Sequence, residues 1–491
     1  MKKKFDFAFF FLLLLQVFSS GCLPKKTSPT KKILKVVFVN PQKTLKTSGC
    51  ETSPCREIQH LTGEGLFRAS FIKNKLTIEP ALAQSWEWLQ PLQLEIQLKK
   101  NQKKSDGSPL TSNDFIDAWR QALTSKDKSE LQPFFIVKHA HEFFEKKVAF
   151  SKLGFKAPNS TSIQITFSTL PPNFQAWLAH PAFQIAASQR NSVGPFSLAY
   201  PKSNEFLLLT RNPFYWNSNS LIDEIWFREI SDKNLAHNLI EDKEVQIAVG
   251  SFSENPRPDT HYYPSSNQVL LLLNSEHIAL KSTETRKLLL SVIKNSSLGK
   301  IPAPLLLPNH SLDPFYENDP ASDFYYMPQK TKPDLSQPLG LIELSFPLSL
   351  KPIATFIEMQ WLKELNLSTE LIPWTSAHTS NAARAAWLVP LKVDVFRPDL
   401  GINHLLKQSQ ELKLTHSIRK FSKCLEEFKK EEIETAEQLH GEIEKIEKTL
   451  IQEQALYYPL GRVPIVTHHS DKLKGLKIAP NGVLDFSQVT F

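Results

Sequence analysis

Apolar positions along the chain fall into two patterns. Leu92, Leu94, Ile96 and Leu98 alternate with Gln93, Glu95 and Gln97, the period of a half-buried strand. Ser162 to Phe167 alternates in the same way. Ile33 to Val39 is β-branched and apolar, which predicts a first strand. Phe206 to Leu209 and Ile225 to Ile230 read as two more, around a turn at Asn212-Pro213. Val269 to Leu273 is an unbroken apolar run, the mark of a strand buried on both faces. Leu341 to Phe346 and Ser368 to Ile372 complete the strands read this way.

Helical spacing appears between them. Thr111 is followed three residues later by Asp114, a pattern that satisfies free N–H groups at a helix start. Phe115, Ala118, Trp119 and Ala122 then share one face. Ile240 to Gly250 ends a helix and enters a short strand, and Thr283 to Lys294 and Ile353 to Leu365 read as helices. Ile433, Ala436, Leu439, Ile443, Ile446 and Leu450 recur every three or four residues, one apolar stripe opposite a charged face. Strand–helix–strand alternation predicts α/β lobes.

The N-terminus carries a different signal. Lys2, Lys3 and Lys4 precede an apolar run from Phe7 to Phe18, broken only by Gln16. That run is too short for a ~30 Å hydrocarbon core and fits an export signal. Phe18-Ser19-Ser20-Gly21-Cys22 resembles a bacterial lipobox. The resemblance implies a signal peptide over residues 1–21, lipidation of Cys22, and a chain held outside the cytoplasm on a bacterial membrane. Stable anchoring takes two or more acyl chains, at about 0.8 kcal/mol per buried CH₂. Residues 22–32, rich in Lys, Ser, Thr and Pro, read as a flexible tether.

Composition narrows the remainder. The chain has 491 residues, 41% of them hydrophobic and 22% charged. At about 150 residues per domain this predicts roughly three domains or one multi-lobed unit. With 15 glycines and 34 prolines, its turns must lean on Pro, Asn, Ser and Asp. The formal charge of +8 is spread thinly, and no Lys/Arg stripe with interleaved aromatics follows the first 35 residues, so no nucleic-acid partner is expected. Cys50 and Cys55 stand in a Ser/Thr/Pro loop and can close a small disulfide ring in an oxidising compartment. Cys424 reads as a buried helix position. His139 and His141 face apart on a helix, His468 and His469 are adjacent, and neither pair has metal-ligand geometry. No phosphate loop and no Gly-x-Ser-x-Gly elbow occurs. No cofactor, metal or enzymatic activity is expected.

Four ordered stretches resemble the family 5 extracellular solute-binding proteins, the oligopeptide- and dipeptide-binding components of ABC importers. They are Glu64-Gly65-Leu66 with Pro80 to Glu87; Leu94 to Lys99 with Ser105-Asp106-Gly107 to Phe115; Val193-Gly194-Pro195-Phe196 with Arg211-Asn212-Pro213-Phe214-Tyr215-Trp216; and Leu473 to Leu476 with Pro480 to Phe486. The resemblance implies a two-lobed α/β periplasmic-binding-protein fold with a hinge between lobes and a third, inserted domain. It places lobe I in residues 33–77, 181–268 and 453–491, the inserted domain in 78–180, and lobe II in 269–452.

It also implies a function: capture of short peptides or peptide-like fragments by lobe closure, then delivery to an ABC permease and its ATPase. Arg384, Trp387 and Glu64 match family cleft positions. The family's acidic anchor for a ligand amino group falls three residues after the tryptophan of Arg384-Ala385-Ala386-Trp387, and here that residue is Pro390. Asp394 is a nearby substitute. The missing anchor leaves two alternatives open: a non-peptide solute, or a surface interaction lipoprotein without a transport role.

Overall fold

Ten strands pair into one mixed sheet, and the two longest run through its middle. The structure is a computed structural model that describes residues 31–39, 54–72, 75–124, 131–171, 173–185, 191–199, 206–217, 220–250, 257–293, 306, 340–374, 384–392, 399–428 and 436–491. In chain order the strands are β1 (Ile33–Val39), β2 (Phe67–Ile72), β3 (Lys75–Pro80), β4 (Ala83–Gln90), β5 (Gln93–Leu98), β6 (Phe155–Asn159), β7 (Ser162–Thr166), β8 (Phe196–Ala199) and β9 (Leu207–Arg211). They continue with β10 (Glu224–Ile230), β11 (Ile247–Val249), β12 (Thr260–Leu273), β13 (Ile342–Phe346), β14 (Thr369–Pro373), β15 (Ala386–Lys392), β16 (Tyr457–His468), β17 (Lys477–Ile478) and β18 (Leu484–Asp485). The longer helices are α1 (Cys55–Thr62), α2 (Ser112–Leu123), α3 (Lys233–Glu241), α4 (Thr283–Ser291), α5 (Lys351–Leu365), α6 (Asp399–Glu411), α7 (Thr415–Phe428) and α8 (Ala436–Glu447).

The main sheet runs β14-β13-β15-β12-β16-β11-β1-β10-β9-β8. β1 is parallel to β10 and β11 at one end, and β13 is parallel to β14 and β15 at the other. Each end is thus the parallel heart of an α/β lobe. Two antiparallel partners, β12 and β16, join them.

Burial follows the same division. One core gathers Val269 to Leu273, β13, β15, Trp361 of α5, Phe421 of α7 and Ile443 of α8. A second gathers β1, Leu61 of α1, Phe227 of β10 and Phe486 near the C-terminus. A third belongs to the four-stranded sheet β4-β5-β7-β6, with Phe115 and Trp119 of α2 packed against it. That third core also draws on Leu66, Phe67, Phe183 and Val193, outside the span of 78–180 expected for the inserted domain.

Local chemistry explains several elements. Asp114 accepts from the Thr111 backbone N–H at 2.7 Å and from its hydroxyl at 2.8 Å, closing the start of α2. The aromatic face of α2 is buried, with the Trp119 indole donating to the Phe183 carbonyl at 2.9 Å. Arg286 in α4 is buried with no ion pair among the described residues, and it donates to the carbonyls of Leu280, Lys281 and Gln454. Beyond α8 the chain continues as a wider helical turn, Lys448–Glu453. Ile433, read as part of that stripe, lies outside the described residues.

The sheet departs from expectation at its centre. The first half of β12 carries Pro264, and β16 carries Pro459, Gly461 and Pro464, residues that ordinarily argue against a strand interior. The structure sets Pro264 opposite Pro464, and the register slips between Pro264 and Gln268. Two prolines facing each other remove ladder donors at one place, and the bulge absorbs the slip there. Gly482, at φ 73°, packs its turn against that bulge; a Cβ on it would lie 2.6 Å from the Ser266 nitrogen. The lobe boundary expected between residues 268 and 269 therefore falls inside a strand that itself crosses between lobes.

At the outer ends of β12 and β16, the His261 and His469 rings stack with centroids 3.9 Å apart. Burial holds His468 and His469 below the ordinary histidine range, and it does the same for His277, His404 and His416. Each loses its charge more readily in the folded chain than in the unfolded one, whose histidines titrate near pH ~6.5. Stability from this source is complete above that pH and lost as pH falls below it. The unfolding midpoint should fall as pH drops from about 7.5 to 5, a window in which exposed carboxylates stay ionised in both states. Differential scanning calorimetry across that window, with H469Q showing a shallower slope, checks this.

Candidate functional site

Arg384 enters β15 beside the end of β12. The backbone N–H of Asn274 donates to the Ala385 carbonyl at 2.9 Å, and its side-chain amide donates to the Arg384 carbonyl at 2.8 Å. This double tie fixes where the arginine leaves the backbone. The guanidinium donates through Nη1 to the Ser345 hydroxyl at 2.7 Å. Arg384 is 3% exposed, and its Nε has no hydrogen-bond partner. Among the described residues no carboxylate forms an ion pair with it.

Two indoles join this face. Ser345 is in register with Trp387 across β13 and β15, and with Ile372 across β13 and β14. Trp374, two residues beyond Ile372, shares that face because side chains alternate along a strand. Its backbone N–H donates to the Phe346 carbonyl at 2.7 Å. The Nε1 atoms of Trp374 and Trp387 are buried and unpaired. Arg384 Nε and the two indole N–H groups are thus buried donors without acceptors, carried on or beside neighbouring parallel strands of one lobe. Such strand ends are where α/β sheets bind ligands. The set fits an oxyanion, because a buried guanidinium without a counter-charge is costly.

The other expected residues separate from this pair. Pro390 lies within β15, exposed, opposite Val269. Asp394, Cys22 and Cys50 lie outside the described residues. Cys55, buried at the start of α1, is disulfide-bonded, and Cys424 in α7 is free and buried. Among the described residues no group of three or more His, Cys, Asp or Glu could hold a metal ion.

Glu64 sits in a different core, at the seam of lobe I and the inserted domain. Its carboxylate is 1% exposed. One oxygen accepts from the Tyr215 hydroxyl at 2.6 Å and the Trp216 indole at 3.0 Å, and pairs with Arg68 at 2.8 Å. The other accepts from the Gly65 N–H at 3.1 Å. Burial would lower the Arg68 guanidinium, but the Glu64 charge outweighs it and holds the group above its ordinary value. Burial first, then Glu64, pushes the Tyr215 phenol up. The sequence reading took Glu64 as a cleft residue; its oxygens are engaged by the protein itself, and it ties Glu64-Gly65-Leu66 to Tyr215-Trp216. Asn212 reinforces the join, its amide donating to the Gly194 carbonyl at 2.9 Å.

Sequence reasoning missed Asn274, Ser345 and Trp374. Asn274 follows directly on the apolar run Val269 to Leu273, and Trp374 on the strand at Thr369–Pro373. A polar or indole side chain just past a buried strand is the available signal.

Two α/β lobes joined by crossing strands, with a small third domain, define the class of two-lobed binding proteins. The family model for bacterial extracellular solute-binding proteins, family 5 middle, matches residues 77–298. Residues 77–298 of the chain thus carry that family's pattern. It is similar to a putative binding protein of Haemophilus influenzae, 26% identical over 45% of this chain and 42% of the relative. It is also similar to the periplasmic oligopeptide-binding protein OppA of Escherichia coli, 25% identical over 38% of this chain and 41% of the relative. The matched stretches thus span about two-fifths of each of those relatives. Among solved structures, the periplasmic murein tripeptide binding protein MppA in an unliganded open form superposes with a TM-score of 0.74 at 17% identity, over 94% of this chain and 97% of the other. Peptide-bound OppA of Listeria monocytogenes gives 0.61 at 16% identity, over 94% and 99%. These structural matches establish the shared fold.

Removing the Glu64 carboxylate leaves the Arg68 charge and two indole and phenol donors without their acceptor. E64A should cost about 3–5 kcal/mol of unfolding free energy, as expected for breaking a buried pair from one side. E64Q, which keeps an acceptor for Tyr215 and Trp216, should cost less. Urea unfolding of both variants measures the difference.

Proposed function

We propose that the chain is the extracytoplasmic substrate-binding component of an ABC importer. It captures short peptides or peptide-like fragments between its lobes and delivers them, unchanged, to a membrane permease and its ATPase. It performs no covalent chemistry. Cys22 carries the lipid that holds it to the membrane, and Cys50 pairs with Cys55. Asp394 takes the role that an acidic residue at the place of Pro390 would have had.

One observation carries this reading: Arg384 is buried, and among the described residues no carboxylate neutralises it. A ligand carboxylate entering against Arg384, with Trp387 and Trp374 as indole walls and donors, relieves that cost. Relatives named for oligopeptide and murein tripeptide binding support the ligand class. Extended peptides suit such a cleft because backbone pairing tolerates varied side chains.

The proline at 390 favours a second reading, a carboxylate solute with no amino group to anchor. Isothermal titration with tripeptides, free and C-terminally amidated, separates the two. The free acid should bind. Either amidation or R384A should weaken it tenfold or more, about 1.4 kcal/mol. Equal affinity for acid and amide would remove Arg384 from the site. Binding of simple carboxylates but of no tripeptide would select the second reading. No response to any solute would leave a surface interaction lipoprotein.

A further inference from the structure

The turn after β5 concentrates charge: Lys99, Lys100, Lys103 and Lys104 fall within Lys99-Lys-Asn-Gln-Lys-Lys104. By itself this reads as a solvated turn. The structure adds aromatic rings from more than a hundred residues away. The Lys99 ammonium lies 3.9 Å from the centre of the Trp216 ring, and the Lys103 ammonium lies 5.4 Å from that of Phe214. Phe214 is 40% exposed and rests on the Gly107 turn, where an added Cβ would touch its ring at 3.6 Å. Trp216 is anchored from below by Glu64.

The charges on this face are not balanced. Lys104 pairs with Asp114 at 2.8 Å, and Asp106 is occupied by the Ser108 N–H and hydroxyl. Lys99, Lys100 and Lys103 form no ion pair among the described residues, and Lys99 reaches only the Pro80 carbonyl at 3.4 Å. Cation–π contact holds two of them above the rings.

We propose that this patch docks on a bilayer surface bearing anionic phospholipid headgroups. Its charges are lysines, compact point charges suited to a diffuse field of phosphates. Arginine forks would suit fixed carboxylates on a protein better. The exposed Phe214 beside Lys103 supplies an apolar ring of the kind that peripheral segments bury at a headgroup boundary. The patch lies beside the Glu64 tie, through Trp216.

The test uses the full chain with phosphatidylcholine vesicles, made with and without phosphatidylglycerol, in a sedimentation assay. Partition should be stronger on the anionic vesicles and fall as salt rises. Each lysine near an anionic surface is worth about a fivefold change. K100E/K103E should therefore remove more than about tenfold of the anionic preference. F214A should lower binding to anionic vesicles, and neither variant should move the melting temperature. Equal partition on both vesicle types would overturn the proposal. So would a preference that survives K100E/K103E, or one lost only on neutralising Lys25, Lys26, Lys31 and Lys32. Polyglutamate binding that the double variant abolishes, with no vesicle preference, would assign the patch to an acidic protein and equally overturn it.

Discussion

The paired strands β12 and β16 are the constraint on which the molecule depends. Their ladder is continuous enough to unite ten strands, yet it is broken where Pro264 faces Pro464 and the register slips. A sheet interior resists bending because every backbone group is paired. Here, between a core built on lobe II and a core built on lobe I, the register slips twice, between Pro264 and Gln268 and again between Val269 and Leu270. Those cores share the sheet and otherwise close on their own side chains. Hinge motion needs such a place, a few residues able to absorb dihedral change between two rigid bodies. The C-terminal turn at Gly482 fits against the bulge with no room for a side chain, so the last segment of lobe I bears directly on the crossing.

The ordered motifs made the architecture legible, and the structure gives several of them a physical role. Thr111 and Asp114 close a helix start; Glu64 meets Tyr215 and Trp216; Asn212 holds Gly194. The alternating strand ending at Leu98 and the apolar run at Val269 to Leu273 needed only periodicity. What escaped was the middle of the sheet. Proline inside a strand argues against the strand, and β16 carries it at two positions. The argument fails because the prolines are placed where the ladder already yields. β4 escaped for a different reason: most of its residues are exposed, so no apolar alternation marks it.

For the candidate site, sequence named residues but not their environments. Arg384 and Trp387 stand at the start of one strand, and Glu64 is bound by Tyr215, Trp216 and Arg68. Sequence alone gives a residue's type but not which carboxylates surround it. Glu64 is met by four donors, whereas among the described residues Arg384 meets no acid, and the proposal of Arg384 as a place for a ligand rests on that contrast. The Lys99 to Lys104 turn shows the same limit, since the rings beneath it arrive from a distant loop.

The central claim is that a small acid seated at Arg384 draws two lobes together across β12 and β16. Small-angle X-ray scattering of the chain, alone and saturated with a bound tripeptide, addresses it directly. A smaller radius of gyration in the liganded sample, with secondary structure unchanged by circular dichroism, is the expected result. Saturating occupancy with identical scattering curves would contradict closure and the account built upon it.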